Sequence, residues 1–242
     1  DELKEHYSEA VVRLPHCYQT NDNKRPISID VPSRKSQGLP EEGLVLCSFN
    51  NNYKITPQVF DIWMRVLNRF PGSVLWLLHD NARAEENLIR EAQLRGVDSD
   101  RLVFAPRMRN EDHLARQQLA DLFVDTFPCN AHTTASDALW AGLPLVTCAG
   151  ETFASRVAAS LLSTMGMPDC VANDLSSYEQ KIVALLEQPQ SLKDLRSRVV
   201  TGRQKSPLFD TPAIAKQLES AYSQMICRYE KNLQPEGFDV PA

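Results

Sequence analysis

Gly43-Leu-Val-Leu-Cys-Ser-Phe49 and Ser73-Val-Leu-Trp-Leu-Leu78 are two short apolar runs, and the 23 residues between them carry a helical pattern. The run ending at Phe49 opens into a polar loop, Asn50-Asn51-Asn52-Tyr53-Lys54. Thr56-Pro57 then reads as an N-cap followed by proline at the first helical position, and Val59, Ile62, Trp63, Val66 and Leu67 share one helical face. Pro71-Gly72 stops that helix. The second run is apolar at every position from Val74 to Leu78, as a strand covered on both faces must be. Strand, helix and strand in this order predict a parallel pair joined by a crossover helix.

The same alternation continues outward. A charged helix from about Ala82 to Arg95, stopped by Gly96, precedes a strand at 101–105; Asn110 to His113 opens the next helix, and 120–125 is a strand. Residues 133–141 read as helix, 144–147 as strand, 154–165 as helix with Gly166 as its stop, and 170–172 as a last short strand. From Ser176 to Tyr229 three helices follow, interrupted at Pro189, near Gly202 and at Pro207. This predicts an α/β fold: a Rossmann-like parallel sheet with helices on both faces, plus C-terminal helices. Residues 18–43 are polar and rich in Pro, Ser, Asn and Lys, a connector with little core. The apolar run within Tyr7 to Tyr18 is too short to bury itself and must pack on something else.

Composition narrows the function. The chain has 242 residues with 26 Lys and Arg against 31 Asp and Glu, a net charge of −5 with no basic stretch, which argues against nucleic acid or an anionic membrane as partner. A few local donors still suffice for one small phosphorylated ligand. The six cysteines lack zinc spacing and read as buried thiols of a reducing, cytoplasmic compartment. No apolar run reaches the ~20 residues of a membrane span. The charged start, Asp1 to His6, shows no signal peptide and reads as cut from something longer.

In a parallel sheet, ligands bind beyond the C-terminal strand ends, so the βα loops are where chemistry is expected. In the first, Lys54 is either a point charge for phosphate or a solvated loop lysine. In the second, Pro106-Arg-Met-Arg-Asn-Glu-Asp-His113, the imidazole of His113 can stack on a base or bond a ligand, with Arg116 on the same helical face; the alternative is an exposed helix start. In the third, Phe127 to Gly142, His132, Thr133 and Thr134 put hydroxyls and free N–H groups at a helix N-terminus, which favours an anion. Asp137 lies one turn further on, able to accept from a ribose hydroxyl. Simple capping is the alternative for Thr133-Thr134, but neither Ser136 nor Asp137 completes a capping box. No dinucleotide glycine fingerprint and no P-loop is present, and no Asp-rich metal pair.

Taken together, Cys47-Ser-Phe-Asn50 with Tyr53-Lys54-Ile55, Val74 to Leu78, Gln118-Leu-Ala-Asp121, Cys129-Asn130 with His132-Thr-Thr134, Leu139-Trp-Ala-Gly142, Gly150-Glu-Thr152 with Ala154 to Ser160, and Ser206-Pro-Leu-Phe209 resemble the O-linked N-acetylglucosamine (O-GlcNAc) transferases. The resemblance implies the C-terminal, nucleotide-sugar lobe of a two-lobed GT-B glycosyltransferase. Residues 1–42 would be the end of the N-terminal lobe and a connector, 43–230 the nucleotide-sugar lobe and 231–242 a tail. It implies transfer of N-acetylglucosamine from UDP-GlcNAc to protein Ser or Thr hydroxyls, without metal or other cofactor and with inversion. The partners it implies are an upstream catalytic lobe carrying the acid–base groups, tetratricopeptide repeats and a protein acceptor.

By the same resemblance Lys54 contacts the diphosphate and serves catalysis, His113 stacks on uracil with Arg116 beside it, and Met108 contributes a backbone contact to the base. His132, Thr133 and Thr134 hold the diphosphate, and Asp137 the ribose. Asn51 stands where the animal enzymes have Gln, and Asn110 where they have a ribose-binding Lys, for which the neighbouring Arg109 is available to substitute. Those departures leave room for a related donor, UDP-glucose or GDP-fucose. A non-catalytic nucleotide-sugar scaffold is the alternative of another class.

Overall fold

The computed structural model describes residues 4–241; Asp1, on which the reading of the start rests, lies outside them. In chain order the elements are β1 (Val12–Arg13), β2 (Val45–Ser48), α1 (Pro57–Arg69), β3 (Val74–Leu78), α2 (Ala82–Leu94), β4 (Leu102–Ala105), α3 (Asn110–Arg116), β5 (Leu122–Val124), α4 (Thr133–Ala141), β6 (Leu145–Cys148), α5 (Val157–Thr164), β7 (Val171–Ala172), α6 (Leu175–Glu187), α7 (Pro189–Gly202), α8 (Thr211–Glu230) and β8 (Phe238–Asp239). The expected helix at 154–165 divides: Phe153–Ser155 is a 3-10 turn capped by the Thr152 hydroxyl, and Arg156 breaks step before α5 begins. Thr56 precedes α1 without capping it; its hydroxyl donates to the Phe127 carbonyl at 3.0 Å instead.

The chain packs as two compact units, residues 25–204 and residues 1–24 with 205–242. The larger contains a six-stranded, all-parallel sheet in the order β4-β3-β2-β5-β6-β7. From β2 the chain winds one way through β3 and β4, then returns to the other side of β2 for β5, β6 and β7. The crevice between the ends of β2 and β5 is thus the switch point of a doubly wound sheet.

Alternation along the strands divides the core. Leu46, Leu75, Leu77, Leu122, Val124 and Val146 form one cluster with Val59, Ile62, Trp63 and Val66 of α1 and Tyr178 and Ile182 of α6. Val45, Cys47, Trp76, Phe123 and Leu145, the alternate positions, are equally buried. On their side the Arg116 guanidinium of α3 lies 5.7 Å from the Trp76 ring, and α3 packs on α4 and α4 on α7. Each fully buried Leu, Val or Phe contributes about 1.5–3 kcal/mol. Gly43, with φ +101°, lets the start of β2 approach the Gly72 carbonyl, where a Cβ would collide.

The smaller unit explains the short apolar run near the N-terminus. Val12 and Arg13 pair in parallel with Phe238 and Asp239, so residues expected as a connector and a tail form one small sheet. Asn21 donates to the Leu208 carbonyl at 3.2 Å, and the Thr211 hydroxyl to the Asn21 carbonyl at 2.8 Å. Compactness therefore follows other lines than 1–42, 43–230 and 231–242: α8 clusters with the N-terminal segment, and 25–42 with the sheet. All six cysteines are free; four are buried, whereas Cys129 is half-buried and Cys227 exposed, which departs from the expectation of six buried thiols. Among the described residues no helix is long and apolar enough to cross a membrane.

Candidate active site

A cleft of about 440 Å³ opens at the switch point of the large sheet. Lys54 and Asn51 reach it from the loop after β2, Met108 from the loop after β4, and Asn110, His113 and Arg116 from α3. His132, Thr133, Thr134 and Asp137 complete it from the start of α4. The ten residues singled out in the sequence therefore meet in one place, although they are spread from Asn51 to Asp137 along the chain. Phe49, Asn50, Tyr53, Leu78 and Arg107 line the same cleft.

The β5–α4 end rests on a buried polar network. Asp125, 1% exposed at the end of β5, accepts from the Thr147 hydroxyl at 2.6 Å, from the backbone N–H groups of Thr126 and Ala131 at 2.7 Å each, and from Asn50 Nδ2 at 3.1 Å. Burial pushes its carboxyl up to about 6, against the pull of those hydrogen bonds. Asn50 in turn accepts the Thr134 hydroxyl proton. That bond changes what the helix end presents: Thr134 spends its hydroxyl inside the protein. The backbone N–H groups of Thr133 and Thr134, ahead of the first N–H groups bonded within the helix, those of Ala135 and Ser136 to the His132 carbonyl, remain to face an anion. Lys54 Nζ donates to the Asn130 carbonyl at 2.8 Å, which fixes an ammonium beside that turn. His132 occupies the N-cap position, its Nε2 3.4 Å from the Ala154 carbonyl; burial and, more weakly, Lys54 lower its pKa, opposed by that carbonyl.

At the β4–α3 end, Arg116 is fully buried, not exposed on a helix start. Its Nη1 donates to the Pro106 carbonyl at 2.7 Å and its Nε to His113 Nδ1 at 3.0 Å, while Nη2 is buried without a partner. Burial first, then the Arg116 charge, lower His113 to about 4, so its ring is neutral at pH 7. With Nδ1 accepting, the ring proton sits on Nε2. The ring itself is held edge-on against Phe49, centroids 5.0 Å apart.

Arg109, expected to stand in for the ribose-binding lysine, lies off the cleft. It pairs with Glu111, its side chain 79% exposed. From this loop it is Arg107 that lines the cleft, held by Asp80 at 3.2 Å and by the Asn51 side-chain oxygen at 3.5 Å. Strand alternation was the available signal: after β4, positions 107 and 109 share a side, and only the loop's course selects between them. Asp137 also has a partner that the sequence did not suggest, an ion pair with Arg25 from the segment preceding the sheet.

Among the described residues no group of three or more His, Cys, Asp or Glu side chains converges as a metal site would require. The sheet order, its helices and the cleft at the switch point define a doubly wound, Rossmann-like α/β lobe. Residues 6–218 match the family model described as Glycosyl transferase family 41, and the chain belongs to that family. It is 38% identical over 241 residues to the probable UDP-N-acetylglucosamine–peptide N-acetylglucosaminyltransferase SEC of Arabidopsis thaliana, covering 97% of this chain and 25% of the relative. It is 39% identical over 208 residues to the corresponding Caenorhabditis elegans enzyme, covering 86% of this chain and 18% of that one. Among solved structures, a mutant of the Thermobaculum terrenum O-GlcNAc transferase superposes with a TM-score of 0.71 at 30% identity, over 75% of this chain and 36% of that one. The chain thus spans about a quarter or less of the length of these curated relatives.

Proposed function

We propose that the chain is the nucleotide-sugar lobe of a protein O-GlcNAc transferase, which binds UDP-GlcNAc for transfer of N-acetylglucosamine to Ser or Thr hydroxyls. The observation that carries this reading is the placement of the Lys54 ammonium beside the first turn of α4, in one cleft with a neutral histidine.

Glycosyl transfer concentrates its difficulty in the leaving group. As the anomeric C–O bond breaks, negative charge grows on the distal phosphate. Lys54 and the N–H groups at Thr133 and Thr134 are the preorganised sink for that charge, worth about 3–4 kcal/mol per well-placed donor. His132 borders the same loop. At the other end, His113 stacks on the uracil as a neutral ring, Arg116 holds that ring, and Met108 meets the base through its backbone. Asp137 accepts from the ribose, with Asn51, Asn110 and Arg107 around it.

The proposal includes metal-independent transfer with inversion and no cofactor beyond the donor. It places the acid–base groups in an upstream catalytic lobe, with tetratricopeptide repeats holding the protein acceptor, and the whole in the cytoplasm.

Calorimetry of the 242-residue chain with UDP and with GDP tests it. UDP should bind and GDP should bind at least tenfold more weakly, about 1.4 kcal/mol. Preference for GDP would move the donor to another sugar nucleotide, and absence of binding to either would leave a scaffold.

A further inference from the structure

Arg25 lies outside every motif of the sequence, on the stretch leading to the sheet, yet an ion pair, a hydrogen bond and a ring contact hold it on α4. Its Nη1 pairs with Asp137 Oδ1, its guanidinium carbon is 5.9 Å from the centroid of the Trp140 ring, and its carbonyl accepts the Trp140 indole N–H at 3.2 Å. Asp137 and Trp140 are one helical turn apart, so Arg25 grips a single face of α4. Asp137 is buried and Arg25 half-buried, with side chains 9% and 18% exposed.

A purely structural role is a poor account of this guanidinium. Its Nε and Nη2 are buried and have no hydrogen-bond partner. Two unpaired buried donors on a cation cost stability, and an apolar side chain of similar volume packs such a site at least as well. The arrangement makes sense through the group that Arg25 does pair. Asp137 borders the cleft but is itself buried, and burial favours its neutral form while Arg25 opposes that. A neutral carboxyl would offer a proton and lose half its acceptor capacity, and among the described residues no other charged group holds its orientation.

We propose that Arg25 is a positioning residue for the nucleotide: it keeps the Asp137 carboxylate charged and aimed at the cleft, as an acceptor for a ribose hydroxyl. Arg25 does not itself line the cleft and acts through Asp137 alone. This rests on the ribose role given to Asp137 above. A structural reading predicts loss of stability with indifference to the sugar; the positioning reading predicts loss of discrimination for the ribose hydroxyls.

Calorimetry of the 242-residue chain with UDP, 2′-deoxy-UDP and 3′-deoxy-UDP decides between them. The unaltered chain should bind at least one deoxy nucleotide about tenfold more weakly than UDP, the value of one hydrogen bond to a charged acceptor. Arg25→Met should bind UDP about tenfold more weakly, leave the affinity for that deoxy nucleotide unchanged, and so erase the preference. On an Asp137→Asn background, Arg25→Met should cost no further UDP affinity. If Arg25→Met keeps the full preference, the inference is overturned while the ribose role of Asp137 stands. If the unaltered chain takes all three nucleotides equally, the ribose role falls and this inference with it. Should Arg25→Met not fold, Arg25→Lys, a point charge without the fork, decides: a reduced preference supports the inference and an unchanged one overturns it.

Discussion

At the β5–α4 end of the cleft Asp125, Asn50, Thr126, Asn130 and Thr134 are joined by hydrogen bonds into one continuous, largely buried network. At the β4–α3 end the buried Arg116 and the half-buried His113 sit behind an open rim, where Met108 is 38% exposed and the side chain of Arg107 66% exposed. The first end is fixed before any ligand arrives, as suits a site that must meet growing negative charge without reorganising. The second is fixed where the base would stack and loose where its edge would be read.

The comparison breaks first at Asp125. Replacement by Ala leaves the Ala131 and Thr126 N–H groups and the Thr147 hydroxyl without their acceptor, and Asn50 with the Thr126 hydroxyl alone. Stability should fall by about 3–4 kcal/mol, measured by urea unfolding, and UDP binding should vanish with it. Unaltered stability would mean that the network is not what holds this end. Lys54→Met should separate binding from folding: UDP affinity falls about a hundredfold, while urea stability changes by less than about 1 kcal/mol. An equal loss in both would make Lys54 structural.

The two ends also titrate in opposite senses. His113 is lowered in the fold from 6.5 to about 4, so its contribution to stability is full above pH 6.5 and is lost as pH falls toward 4. Asp125 is raised from 3.8 to about 6, so its contribution is full below pH 3.8 and is lost as pH rises through 6. Between pH 4 and 6.5 the two offset each other. His113→Asn removes the term that rises with pH, so its stability relative to the unaltered chain should drop by about 2 kcal/mol across that window. A constant difference from pH 4 to 6.5 would remove His113 from the account. The smallest effect is expected at the rim. Arg107→Ala should weaken UDP binding no more than about threefold, because an exposed, screened cation contributes little; a tenfold loss would show the rim to be held as firmly as the phosphate end.

The periodicity of residues 43–202 carried the sheet and its helices almost whole, since a parallel sheet covered on both faces demands unbroken apolar strands and helices of fixed spacing. It also placed the site's loops, because βα loops gather at one edge of such a sheet. Three things were not legible. Arg25 pairs with Asp137 across 112 positions, and no local pattern encodes a contact between a connector and a helix. The choice of Arg107 over Arg109 depends on the path of an irregular loop. The small parallel sheet joins Val12 to Phe238, two strands too short to register as strands alone.

Local spacing is thus enough for the elements, their order and the residues that reach the strand ends, because those follow from hydrogen-bond geometry along a few neighbouring residues. Which hydroxyl is spent inside the protein, which arginine meets the cleft and which cation accompanies a buried carboxylate are settled by packing. Those outcomes depend on the burial of polar groups by segments distant in sequence, whose cost and compensation exist only once the chain has folded.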